Sequence, residues 1–373
     1  MARSLTQAQP QCAECQYLDA KAARRIGDYR HATQALERAT GLHWDAADVA
    51  RERVLAIVQT GQVTAYESEL NGIFASDLDR AETEEVYEAL ANGHLAAFNG
   101  PELQRCLDYW LEWNPQATQP RLMRAQFSQR LAKYSEAAKQ FEEIVRDHPA
   151  CRAARLGWGE CLLQLNQASA AETQLRTCLE QQRDSQTAVL LAKSLIQTSQ
   201  SPAAGALLTE FQATPNPEAR AVVLEELGRW NLDQGQADEA VKHLEEAVKL
   251  APETASAWHA LSSAYSLQGH PEKAKNALET SQASQKRLQR FAEVIVDLNV
   301  NPRSLPLRVE AAQILFQQGL DHDAVAWLNT VLSQDIDHRQ ANEILADYYT
   351  KQGQLDLAER HRQLAGNSEA TAP

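Results

Sequence analysis

No apolar run in this 373-residue chain approaches the roughly 18 residues needed to cross a bilayer, and no signal-peptide core opens it. The expected compartment is the cytoplasm for the chain as it stands; a removed leader or membrane anchor would leave the same sequence. Aromatic residues make up only 6% of it and strand signals are nearly absent, while Ala, Leu, Gln and Glu, all strong helix formers, are abundant. Basic residues are in deficit: 36 Lys and Arg stand against 50 Asp and Glu, a net charge of −14. That balance argues against unassisted binding to nucleic acid or to an anionic membrane. Catalytic equipment is missing too, with no phosphate loop, GxGxxG, HExxH or nucleophile elbow, so neither an enzyme nor a cofactor is expected.

Cysteine is sparse and unevenly placed. Cys106, Cys151, Cys161 and Cys178 fall inside helical pattern, which is no disulfide framework and fits a reducing compartment. Cys12-Ala-Glu-Cys15 is the one spacing with chemical potential, since two thiolates that close can chelate zinc or form a redox pair. A structural zinc site wants four ligands, however. No second CxxC or HxxxH follows, and only His31 and His43 lie near. Cys12 and Cys15 are thus weak metal candidates, and an incidental pair at the start of a helix is the plainer reading.

What the chain does have is a rhythm. Leu224, Leu227, Gly228, Gly235, Ala240 and Leu244 return as Trp258, Leu261, Ser262, Gly269, Ala274 and Leu278, and the two glycines are 34 residues apart. The same frame places Ala125 and Gly159 at the eighth position of units starting at 118 and 152, Ala137 and Ala171 at the twentieth, and Phe141 and Leu175 at the twenty-fourth. Starts at 305 and 339 align Ala312 with Ala346, Gly319 with Gly353 and Ala324 with Ala358. The first unit starts at 13, with Ala20, Gly27 and Ala32 in place, and weaker units start near 47, 84 and 186. Small residues at the eighth and twentieth positions let two helices approach, and glycine at the fifteenth supplies a positive φ where the first helix ends. Lys193 at an eighth position, and Tyr66 and Leu103 at twentieth ones, imply looser or shifted crossings.

A 34-residue unit of two short helices with this pattern of small residues resembles the tetratricopeptide repeat. The resemblance implies an all-α, right-handed superhelical solenoid of about ten helix-turn-helix units. Eight would run over 13–288 and two over 305–366, with residues 1–12 and 367–373 disordered. Between the two arrays the frame breaks. The extra residues 289–304 place Leu288, Phe291, Ala292, Ile295 and Leu298 at helical spacing, so an inserted packing helix or a kink, and in the sharper reading a hinge, is expected there.

The resemblance further implies a concave groove lined by second, fifth and ninth positions, including Asp48, Glu85, Glu88, Glu225, Arg229, His259, Glu343 and Asp347. Several are acidic, and residues 41–115 alone hold 14 acids against 4 bases. A basic or mixed peptide is then a better guest than an acidic one, although charged helix faces are also ordinary solvated surface. The lysine and asparagines with which some such repeats hold an acidic chaperone tail are absent: the corresponding places carry Glu225, Glu226 and Arg229, then Ser256, Ala260 and Ser263. The expected function is a non-enzymatic interaction scaffold for a protein or peptide. Its rivals are a peptide sensor that changes curvature about 289–304 and a thiol-redox or zinc protein using Cys12 and Cys15. Two other motifs have plain explanations. Gly157-Trp158-Gly159-Glu160 is helix packing rather than a nucleotide loop, and Asp321-His322-Asp323 is a polar cap of the next helix.

Overall fold

The structure, a computed structural model, describes residues 11–97, 99–301 and 303–370. Among the described residues there are twenty α-helices, one 3-10 turn and no strand. In chain order they are α1 (Ala13–Arg25), α2 (Tyr29–Gly41), α3 (Ala46–Val58), the 3-10 turn Thr64–Tyr66, α4 (Glu67–Phe74), α5 (Arg80–Ala96) and α6 (Gly100–Trp113). There follow α7 (Thr118–Arg130), α8 (Tyr134–Asp147), α9 (Arg152–Gln164), α10 (Ala168–Gln181), α11 (Ser185–Gln197), α12 (Ser201–Phe211), α13 (Pro217–Asp233) and α14 (Ala237–Leu250). The last six are α15 (Ala255–Leu267), α16 (Pro271–Val300), α17 (Leu305–Gln317), α18 (Asp321–Leu332), α19 (Arg339–Lys351) and α20 (Leu355–Ala370). Most of the segment expected to be disordered at the front, and residues 371–373 of the expected tail, lie outside the described residues. Helix α20 continues past Gly366 to Ala370.

Among the described residues, nine of the hairpins turn on a residue in the left-handed region. Gly27, Gly61, Gly235, Gly269, Gly319 and Gly353 have φ between 70° and 95°. Glycine does this without a steric penalty. Where the frame lacks glycine the backbone takes the same conformation anyway, at Ala132 (φ 56°), Asn166 (φ 58°) and Ser199 (φ 63°). The turn geometry is therefore set by hairpin packing, with residue preference following it.

Two compact units divide the chain, one comprising Met1–Pro115 with Glu293–Pro373 and the other Gln116–Ala292. In the second, Phe141, Leu175, Leu208 and Leu244 are completely buried, one on the second helix of each successive hairpin. The glycines explain how they fit. A Cβ on Gly159 would stand 2.8 Å from Leu175, and one on Gly228 would stand 2.5 Å from Leu244. The eighth-position hydrogen thus makes room for the twenty-fourth-position leucine, where the sequence pattern had it facing the twentieth-position alanine. Gly157 lies under the Phe141 ring, so both glycines of the Gly157–Gly159 stretch are packing residues within α9.

The hairpin of α15 and α16 departs from the pattern. Leu278 is 37% exposed, and the inward face of α16 is made by Ala274, Ala277, Ser281 and Ser284. Its serines are not orphaned: Ser281 Oγ donates to the Ala255 carbonyl at 2.8 Å, while Ser262 Oγ of α15 donates to the Ala274 carbonyl at 2.8 Å. Small residues bring the helices close enough for these bonds, which satisfy buried hydroxyls. Near its end the buried positions are Val294 and Leu298, whereas Leu288 and Ala292 are exposed. Of the residues expected at helical spacing here, Leu298 is buried, Phe291 and Ile295 are half-buried, and Leu288 and Ala292 face solvent; the segment continues α16, which runs from Pro271 to Val300.

In the first unit, Leu36, Leu70, Leu107 and Leu328 hold the corresponding buried places. The weakest hairpin is that of α3 and α4. Tyr66 stands in the 3-10 turn, and α4 is only eight residues long. A glycine on α5, Gly93, lets that helix approach the Val58 carbonyl at the end of α3. Segments distant in sequence also meet within this unit. Arg308 Nη1 donates to Thr330 Oγ1 at 2.9 Å and to the Ala97 carbonyl at 3.4 Å, and the Tyr29 and His322 rings stack at 6.2 Å.

Candidate functional site

The residues expected to line a groove are mostly held by their own neighbours. On α13, Glu225 is 8% exposed and lies one turn from Arg229, whose Nη2 is 2.8 Å from Glu225 Oε1. Arg229 also stands 3.9 Å from Glu226, which Lys193 of α11 reaches at 3.0 Å. Two partly buried carboxylates therefore face two half-exposed cations. Lys193, read from sequence only as a packing irregularity, is a member of this network. His259 is exposed on α15, and its backbone carbonyl accepts from Ser263 Oγ at 3.3 Å.

In the other unit Asp48 is paired with Arg51 at 2.7 Å, and the same guanidinium holds Glu82 of α5 at 2.6 Å. Glu85 is more strongly engaged. Lys21 stands 2.8 Å away and Arg25 2.5 Å, with Arg24 at 3.7 Å. Arg24, fully buried, is bonded to buried Glu52 and donates to Gln59 Oε1 at 3.3 Å. Burial pushes the Glu52 carboxyl up, and Arg24 only partly counters it. Glu88 is half-buried on the same helix. On α19, Glu343 pairs with Arg339 at 2.8 Å, and Asp347 is exposed one turn further on. Asp48, Glu85 and Glu225 thus serve as structural charges as much as surface ones; Asp48 and Glu225 have partners one helical turn away, whereas those of Glu85 lie 60 and 64 residues away and leave no local sign in the sequence.

Cys12 and Cys15 are joined as a disulfide at the start of α1, where the Cys12 sulfur accepts from the Cys15 amide. In this state the pair offers no thiolate to a metal. The Asp321-His322-Asp323 stretch forms the first turn of α18, whose cap is Leu320 without a side-chain bond. The cap expected from these residues is corrected: their carboxylates favour the helix amino terminus from inside it.

A feature that motif reading missed lies among α4, α5 and α6. Phe74, Tyr87, Leu90, His94, Cys106 and Tyr109 line an open cleft of about 280 Å³, with Glu102 at its edge. Tyr87 is its centre: its ring lies 5.4 Å from Phe74, 5.9 Å from Trp110 and 5.9 Å from Trp113. Phe74, Tyr109 and Trp113 remain 39%, 60% and 41% exposed. Burial, with the nearby Arg105 charge, pulls the His94 imidazole down to about 4, and burial pushes the Cys106 thiol up to about 12. Both are neutral at pH 7, so Glu102, paired with Arg105, is the charged group among the lining side chains. A signal existed, since residues 66–113 hold seven of the chain's 23 aromatic residues.

Profiles of the tetratricopeptide repeat match residues 130–196 and 219–287. No curated protein matches the chain. Among solved structures, MamA is similar over 44% of this chain and 96% of its own, at 14% identity and a TM-score of 0.37. YrrB, described as a TPR protein with an unusual peptide-binding site, is similar over 48% of this chain and 92% of its own, at 16% identity and a TM-score of 0.37.

Proposed function

We propose that this chain, a tetratricopeptide repeat protein, is a non-enzymatic scaffold that holds a protein or peptide partner on the helix faces its repeats present in series. The proposal rests on the residues of α13, inside one of the matched segments. Arg229 of this helix and Lys193 of α11 are each a little over 40% exposed and are paired with the partly buried Glu225 and Glu226. A cation fixed in this way loses little freedom on meeting a partner, so it recognises a carboxylate or a carbonyl at low entropic cost. A partner cation could in turn compete for Glu225. The surface therefore suits a partner of mixed charge, and the repeat fold by itself licenses no particular reaction.

Affinity capture from the source cell, with Arg229→Glu as the paired bait, tests this. Reversing the charge is expected to weaken retention of the partner about tenfold or more. Equal retention by both baits would remove α13 as the binding face. If the unaltered protein retains nothing, the scaffold reading itself fails.

A further inference from the structure

The aromatic cleft among α4, α5 and α6 shares α5 with Glu85 and Glu88, but none of its lining side chains is one of the expected groove residues, and Phe74, Tyr109 and nearby Trp113 keep 39%, 60% and 41% of their surface exposed. Exposed aromatic side chains gathered at one place are uncommon on a surface with no partner. At about 280 Å³ the cleft falls just below the range usual for small-molecule pockets, roughly 300–1,000 Å³, and suits a side chain better than a cofactor.

Its surroundings specify the neighbours of that side chain. Residues 67–113, which build the cleft, carry eleven carboxylates and two arginines, a net of −9. Some of the acids are engaged: Glu85 and Glu82 by cations of α1 and α3, Glu84 by Asn114, and Glu102 by Arg105. Burial raises the Tyr87 phenol, with Cys106 and then exposed Glu112 adding to it. The lining side chains Phe74, Tyr87, Leu90, His94, Cys106 and Tyr109, by contrast, are neutral. A cation placed there would be desolvated with no opposing charge, whereas an apolar group loses only unfavourable contact with water.

We propose that this cleft binds a peptide segment in which one bulky apolar side chain is flanked by arginine or lysine. The apolar side chain lies against Tyr87, Leu90 and Tyr109, and the flanking cations meet the carboxylates of Glu102 and Glu112. The proposal rests on the scaffold reading but uses a different surface, so either can fail alone.

Fluorescence anisotropy with a labelled ten-residue peptide, one central leucine between paired arginines, tests it on the full chain. Replacing the leucine by alanine, or the arginines by glutamines, is expected to weaken binding about tenfold in each case. Tyr109→Ser and Glu112→Lys, both at exposed positions where folding tolerates change, should each weaken the parent peptide severalfold. An alanine peptide that binds equally well would reduce the effect to general attraction by an acidic surface. A glutamine peptide that binds equally well would reduce it to apolar contact. Indifference to both protein variants would place binding elsewhere. If no peptide binds while a partner is still captured through Arg229, this inference falls and the scaffold reading stands.

Discussion

Single residues in this chain answer to their hairpin before they answer to their own preferences. Ala132 is held at φ 56°, a conformation that costs an L-residue roughly 1–2 kcal/mol and glycine almost nothing. Ala132→Gly should raise stability by about 0.5–1 kcal/mol in urea unfolding, after allowance for the greater freedom of glycine in the unfolded chain. A loss of stability would mean that the turn does not impose the conformation. Arg24 is a second case. It is buried beside Glu52, whose carboxyl is already pushed above its ordinary value. Arg24→Met leaves that carboxylate without its partner and should cost about 3–5 kcal/mol at pH 7. The sign of its pH dependence follows from linkage. A folded-state pKa raised above the unfolded one means the folded state takes up a proton first as pH falls, so the deficit should shrink between pH 7 and 5. Stability measured by urea at several pH values would show this, and a deficit constant with pH would contradict it.

At the scale of helices, the alternation of helix and turn was legible because it rests on local chemistry: glycine at the turns and small residues at fixed spacing. The fit between paired helices was less so. Gly228 marked a close approach, but only the structure shows that Leu244 fills the space over it. Gly228→Ala should therefore cost about 1–3 kcal/mol by overpacking, and Gly228→Ala with Leu244→Ala should cost less than the sum of the two single changes. A thermal melt of the four proteins is a sufficient check; strict additivity would argue against direct contact. On α16 the helical spacing of Leu288 to Leu298 was legible, but not that Leu288 faces solvent while Ala277 and Ser281 are buried. Hydrophobicity alone did not reveal that serines bonded to backbone carbonyls could serve as the packing face.

For the whole molecule, the repeat class could be read from one period of 34 residues, while the charges and the cleft could not be ranked. Asp48, Glu85 and Glu225 look alike in sequence, yet Glu85 is gripped by three cations, and Glu225 forms part of a network with Arg229, Glu226 and Lys193. The pairings of Glu85, and of Glu226 with Lys193, join helices far apart in the chain and follow no fixed spacing, whereas Arg229 meets Glu225 and Glu226 within one turn of α13. The aromatic cleft was hidden for a similar reason. Phe74, Tyr87 and Tyr109 come from three helices, and the repeat frame gives none of them a special position.

The central claim is that the repeats hold a partner on α13 and the neighbouring α15 without altering it. Hydrogen exchange on the full chain, with and without the captured partner, tests this most directly. The account predicts slower exchange on α13 about Glu225–Arg229 and on α15 about His259, with the partner's mass unchanged over the experiment. Unaltered exchange in both helices, or a partner chemically converted on incubation, would contradict it.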